Sequence, residues 1–223
     1  MTTIGFIGSG RIGGALAQLA VAAGHDVVLS NSRGPQSLQE IVAQLGSRAQ
    51  AASTTEAAAA GDMVVVTIPV RAYRQIPVAP LRGRVVIDTL NYDPARQGAV
   101  PEIEASGIPP HLLLQAHLPD TYVVKAFSTV FFQHLPQLAR PAGAPDRSAV
   151  PIAGEHVPAK AAVAALIDSL GFDAYDVGTM AESRRFAPGT PAQLAYLHPD
   201  GMFAAPARPA SAADLAALLE KAN

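Results

Sequence analysis

The sequence predicts an α/β fold: a doubly wound, mainly parallel sheet with a small C-terminal α/β extension. Three observations carry that expectation. Apolar runs of strand length alternate with segments of helical period from Ile4 onward. The run Met63-Val64-Val65-Val66 is apolar without alternation, as a parallel strand covered on both faces requires. The first run also leads into Gly8, Gly10 and Gly13, spaced G-x-G-x-x-G, with a helical pattern directly after them. Together these define a Rossmann-type sheet.

Taken in order, Ile4 to Ile7 is strand one, and the helix starting near Arg11 places Ile12, Leu16, Leu19 and Ala20 at helical spacing before Gly24 stops it. Asp26 to Leu29 is strand two. Pro35 to Leu45 is the second helix, with Leu38, Ile41, Val42 and Leu45 on one face. Arg48 to Ala52 forms a weak third strand, and Thr54 or Thr55 is expected to cap a short Ala-rich helix with Glu56 in its first turn. Met63 to Pro69, Arg84 to Asn91 and Tyr122 to Ser128 supply three more strands, the last followed by a helical piece from Val130 to Leu138. The stretch 140–147 is a loop by composition, so an N-terminal domain is placed at 1–140 and a C-terminal α/β portion on the same sheet at 148–223. In that portion Ala149 to Gly154 is a strand that its Pro151 assigns to an edge or strand end. Pro158 to Leu170 is a helix, Phe172 to Gly178 a last strand, and Ala212 to Lys221 a closing helix.

In such a sheet ligands bind beyond the carboxyl ends of the strands. Gly8 permits the tight turn, Gly10 the close approach of a pyrophosphate, and Gly13 close helix–strand packing. The helix N-terminus at Ser9, Arg11 and Ile12 directs N–H groups and a positive dipole end toward phosphates. Strand two ends in Ser30-Asn31-Ser32-Arg33, where an acidic residue would have received a ribose 2′-hydroxyl. Hydroxyls, an amide and a forked guanidinium suit a 2′-phosphate instead, so the expected cofactor is NADP(H). The same topological rule marks Thr67 to Tyr73 after strand four, including Ile68, Pro69 and Val70. It also marks Asn91 after strand five, and Ser128 with Thr129 after strand six.

Composition narrows the function classes. The chain has 223 residues, is 49% hydrophobic and carries a formal charge of −2 without a basic cluster, which argues against a nucleic-acid partner. Its apolar stretches are too short to span a membrane. The N-terminus goes straight into strand one, leaving no room for a signal peptide, and the expected location is cytoplasmic. There is no cysteine, which excludes thiol nucleophiles and cysteine-held clusters and leaves redox chemistry to bound cofactors. No metal-ligand cluster, carboxylate pair or Ser-His-Asp pattern stands out, so no resident metal is expected. Of the six histidines, His117 beside a Leu-rich helix is the first candidate for acid–base work, while His134, His156 and His198 read as surface-turn residues. Lys125 is the other proton-donor candidate, although its neighbours make it a strand residue.

The segments Gly5 to Gly13, Ser30 to Pro35, Val123 to Val130 and Asp176 to Arg185 together resemble the coenzyme F420-dependent NADP oxidoreductase family over nearly the whole chain. That resemblance implies a pyrophosphate loop at Gly8 to Ile12, 2′-phosphate contacts at Ser32 and Arg33, and a nicotinamide-side turn at Ile68-Pro69. It implies hydride exchange between NADPH and a 5-deazaflavin, coenzyme F420, and a homodimer. Direct hydride transfer between two cofactors needs little side-chain acid–base work. Ser128, Thr129 and His117 are the candidates lining the transfer site. Two departures bear on the acceptor: the family commonly has Asn or His where Ser128 stands, and 189–205 is Pro-rich and idiosyncratic. The alternatives are reduction of a flavin or of a small carbonyl or imine, and an NADP-binding redox sensor without turnover.

Overall fold

The computed structural model describes residues 1–197 and 206–222. Its eight strands make a mainly parallel sheet, and the chain divides into two compact units, Met1–Val123 and Val124–Asn223. The loop at 140–147 lies inside the second unit.

In the first unit, β1 (Thr3–Ile7), β2 (Asp26–Ser30), β3 (Ala49–Ala51), β4 (Met63–Val66) and β5 (Val85–Asp88) stand in the order β3-β2-β1-β4-β5. All four ladders between them are parallel. This is the order expected of a dinucleotide-binding half, and it reverses beside β1, between β1 and β4. The strands are Val- and Ile-rich because both faces are covered: Val27, Leu29, Val64, Val66, Val86 and Ile87 are all buried. Each such side chain contributes about 2 kcal/mol by leaving water.

Helix α1 (Arg11–Ala22) buries Gly13, Leu16, Ala17 and Ala20, and Gly24 at φ 86 ends it. The segment expected as one second helix is a 3₁₀ turn, Pro35–Leu38, continued by α2 (Gln39–Leu45). Pro35 at the first turn presets φ, and Leu38 leaves helical geometry between the two pieces. Helix α3 (Thr54–Ala60) corrects the expected cap. Ser53, not Thr54 or Thr55, accepts the Glu56 N–H, while the Glu56 carboxylate accepts the Ser53 N–H at 2.8 Å. Short helices α4 (Pro94–Gln97), α5 (Pro101–Glu104) and α6 (Leu113–His117) complete the unit.

In the second unit, β6 (Tyr122–Lys125, beginning at the end of the first) meets β7 (Ala149–Ala153) antiparallel at Lys125↔Ala153. Strand β7 pairs in parallel with β8 (Asp173–Gly178) along its length. Strand β7 is therefore interior, which corrects the edge placement read from Pro151. Proline is tolerated because its missing N–H shares a side with that of Ala149, which donates to Ala210 rather than to a ladder partner. Helices α7 (Leu135–Leu138), α8 (Val157–Ser169) and α9 (Ala212–Glu220) accompany these strands, and α9 buries Leu219 in a cluster with Ala153, Phe186 and Ala192. His134 is buried against Phe131 rather than exposed in a turn. His156 caps α8, its Nδ1 accepting from the Ala159 N–H. His198 lies outside the described residues, as do the last eight positions of 189–205. Among the described residues no helix is long and apolar enough to cross a membrane, and no group of three His, Asp or Glu could hold a metal.

Candidate functional site

Loops at the carboxyl ends of β1, β2 and β4 enclose a cleft of about 460 Å³ within the first unit. Gly8, Ser9 and Gly10 come from the first loop, and Asn31, Ser32 and Arg33 from the second. Thr67, Ile68 and Pro69 come from the third, with Arg71, Ala72, Gln75 and Ile76 on the 3₁₀ turn that follows; Ile7 and Thr54 complete the lining.

The three glycines of the first loop are required for different reasons. Gly8 has φ 108, and a Cβ there would stand 2.6 Å from the Thr67 carbonyl. A Cβ on Gly13 would strike the Gly8 carbonyl and stand 2.6 Å from the Thr67 hydroxyl. That hydroxyl donates to the Gly8 carbonyl at 2.7 Å, fastening the end of β4 to the glycine loop. Gly10 is different: no atom comes within 4 Å of where its Cβ would be. Nothing in the chain's own packing requires a glycine there. The vacated space belongs to the cleft, at the N-cap of a twelve-residue helix with no side-chain cap and no acidic residue in its first turn. A helix N-terminus with its positive dipole end and room for a close approach has the features that suit an anion.

At the second loop, the Asn31 amide donates to the Ser37 hydroxyl at 2.9 Å, and its oxygen accepts the Arg33 N–H at 2.9 Å. Asn31 is thus a brace for the loop. Ser32 and Arg33 are exposed at its tip. Ser30, expected among the neutral donors, is fully buried, and its hydroxyl donates to the Phe6 carbonyl at 2.7 Å. It ties β2 to β1 and does not line the cleft.

Among the described residues the charge lining the cleft has one sign: Arg33 and Arg71 line it and no Asp or Glu does. Other arginines of the first unit are engaged by the protein: Arg48 by Asp26, Arg82 by Asp120, Arg84 by the Gly61 and Ala59 carbonyls, and Arg74 by the Tyr73 hydroxyl. The Tyr73 hydroxyl also holds the Arg74 guanidinium above its ordinary range.

Of the sequence-derived candidates, Gly8, Ser9, Gly10, Asn31, Ser32, Arg33, Ile68 and Pro69 come together around this cleft. Arg11 and Ile12 belong to the first turn of α1 without lining it, and Val70 is buried beneath the third loop. Asn91 stands apart from the lining, its carbonyl accepting from the Gln97 amide at 2.9 Å. His117 also lies outside the lining, its Nε2 3.0 Å from the Ile76 carbonyl and its ring edge-on to Tyr73. Ser128 and Thr129 are buried in the second unit. They follow Phe127, whose φ of 57 makes it the one non-glycine residue in the left-handed region among those described. Thr129 neighbours the Tyr196 hydroxyl, which burial pushes well above its ordinary range and which donates to the Ala149 carbonyl at 2.5 Å. Lys125 is buried at the end of β6.

The span Thr67 to Tyr73 marked from the sequence contains Arg71 without naming it, whereas Thr54 reads only as a possible cap and Gln75 and Ile76 are missed. Arg71 had a signal, since a basic residue two positions past Pro69 stands to β4 much as Arg33 stands to β2. Gln75 and Ile76 had none, because only the tight 3₁₀ turn of Val70–Gln75 returns them to the cleft.

Comparison with known proteins bears on the same region. Residues 3–92 match the family model described as NADP oxidoreductase, coenzyme F420-dependent. The hypothetical protein SMa0349 from Sinorhizobium meliloti is 32% identical, with a TM-score of 0.69 over 82% of this chain and 88% of that one. The chain belongs to this oxidoreductase family. A candidate F420-dependent NADP reductase from Arthrobacter sp. FB24 shares the fold at 22% identity and TM-score 0.66, over 82% of this chain and 88% of that one. So does 3-hydroxyisobutyrate dehydrogenase from Mycobacterium tuberculosis, at 20% identity and TM-score 0.56, over 80% of this chain and 55% of that one. No curated protein matches the chain. Members of the family are NADP-binding oxidoreductases, and the uncapped helix end, open Gly10 and cationic rim of this cleft are groups that fit such a dinucleotide.

Proposed function

We propose that this protein is an enzyme that binds NADPH in the cleft of its first unit and exchanges a hydride between it and a 5-deazaflavin, coenzyme F420. The observation that carries the cofactor half is the end of β2. Arg33 stands there on the cleft with Ser32 beside it and no carboxylate among the described lining residues, which favours a 2′-phosphate over a bare 2′-hydroxyl. The family description supports the acceptor half.

In this reading Gly8 to Gly10 and the first turn of α1 hold the diphosphate, Ser32 and Arg33 hold the 2′-phosphate, and Ile68 with Pro69 faces the nicotinamide side. The bound nicotinamide supplies the transferable hydride. The chain's own part is to orient the ring, fix its distance from the acceptor and exclude water, with no side chain required to give or take a proton.

The test is to mix protein, NADPH and oxidised F420 and follow the deazaflavin absorbance. Bleaching that depends on protein and NADPH is expected. Tight NADPH binding without bleaching would overturn the acceptor assignment while leaving the cofactor assignment standing.

A further inference from the structure

We propose that Arg71 is a second phosphate-binding residue of the cleft and holds the cofactor's diphosphate from the β4 side, while Arg33 holds the 2′-phosphate from the β2 side. The inference rests on the NADPH reading above and adds a residue to it.

Four observations converge on Arg71. It is exposed and lines the cleft, where no acidic residue stands among the described lining residues. Among the described residues no hydrogen bond or ion pair engages its side chain, whereas Arg48, Arg74, Arg82 and Arg84 of the same unit are all engaged by the protein. Its backbone is held in place. Thr67, at the start of the same loop, bonds to the Gly8 carbonyl at 2.7 Å, and Tyr73 is buried edge-on to His117, which in turn meets the Ile76 carbonyl. Finally, β1 pairs with β2 on one side and β4 on the other, so Arg33 and Arg71 are carried on opposite flanks of the glycine loop.

That last point separates the two roles. A guanidinium beyond β2 stands where the adenosine ribose is read, and Arg71, which lines the cleft together with Gly8 and Gly10, is assigned the diphosphate. An Arg suits this place because its fork can pair with two phosphate oxygens and stays charged at any working pH. Helix dipole and guanidinium then act on the same anion, the first as a fixed partial charge and the second as a full one.

The test is titration of NADPH, NADH and 5′-ADP into the wild-type protein, Arg71→Ala and Arg33→Ala, with thermal melts of each protein alone. Arg71→Ala is expected to melt as wild type, since its side chain is exposed and has no hydrogen bond or ion pair among the described residues. It should weaken NADPH, NADH and 5′-ADP alike by about tenfold, the worth of one charge-assisted hydrogen-bond pair. Its NADPH-to-NADH preference should be unchanged, whereas Arg33→Ala should collapse that preference. Unaltered affinities in Arg71→Ala, or a loss confined to NADPH, would overturn the diphosphate role. Failure of the wild-type protein to bind NADPH would overturn the underlying reading instead, so the two failures are distinguishable.

Discussion

Arg147 in the second unit and Arg33 in the first are the same residue in opposite circumstances. The Arg147 side chain is 5% exposed, with Asp168 at 2.6 Å, Asp173 at 2.7 Å, and the Asp168 and Phe172 carbonyls at 2.8 and 2.6 Å. Each direction of its fork is used by the fold, where it clasps the end of α8 to the start of β8. Arg33 is exposed on a loop that Asn31 braces, with its guanidinium left to the cleft. The contrast teaches that one side chain can serve two ends: surrounded by its own chain's acceptors it is structure, and exposed beside a cleft it is available to a ligand's anion.

The sharpest way to break this comparison is Arg147→Ala. It leaves buried carbonyls without a donor and is expected to cost about 3 kcal/mol of stability, read as a fall in denaturation midpoint. A loss below measurement would mean that the clasp is decorative. Next is Gly10→Ala, which fills cleft space and touches nothing in the protein. Stability should change by no more than about 1 kcal/mol, the scale of an N-cap substitution. NADPH affinity should nevertheless fall by about tenfold or more. A large stability loss with affinity intact would put Gly10 with Gly8 and Gly13, as a glycine the fold itself demands.

The smallest effect concerns the cap of α3, whose first residue, Thr54, lines the cleft. Ser53→Ala should cost about 1 kcal/mol. The Ser53 hydroxyl, and then its N–H, hold the Glu56 carboxyl below the usual carboxylate range. The group's folded value lies below its unfolded value, so the stabilisation is complete at neutral pH and is lost as pH falls through the lowered value. A wild-type-minus-Glu56→Gln difference in melting temperature that grew on acidification would contradict this.

Much of the fold and part of the site were legible in the sequence, for local reasons. The period of Ile12, Leu16 and Ala20, the unbroken apolar run at Met63 and the glycine spacing each report on a few neighbouring residues, and neighbours are what a sequence displays. The Ser53–Glu56 box was legible too, from its S-x-x-E spacing, although the neighbouring threonines drew the assignment. What was hidden depended on partners far along the chain. Pro151 marks only that one N–H is missing, and an unladdered interior side looks the same as solvent. His134 carries no sign of burial against Phe131. Ser30 and Ser32 are alike in type, yet one hydroxyl is buried under a carbonyl twenty-four positions away and the other is exposed beside the cleft. Arg71 and Arg147 likewise differ only in what the folded chain brings to them.

The central claim is that the end of β2 is built for an extra phosphate on the adenosine ribose. Paired titration of NADPH and NADH into wild-type protein and Arg33→Ala tests it most directly. The wild type is expected to prefer NADPH by about tenfold or more, and Arg33→Ala to lose that preference while keeping its melting temperature. Equal affinity of the wild type for the two dinucleotides, or a preference that survives removal of Arg33, would contradict the account.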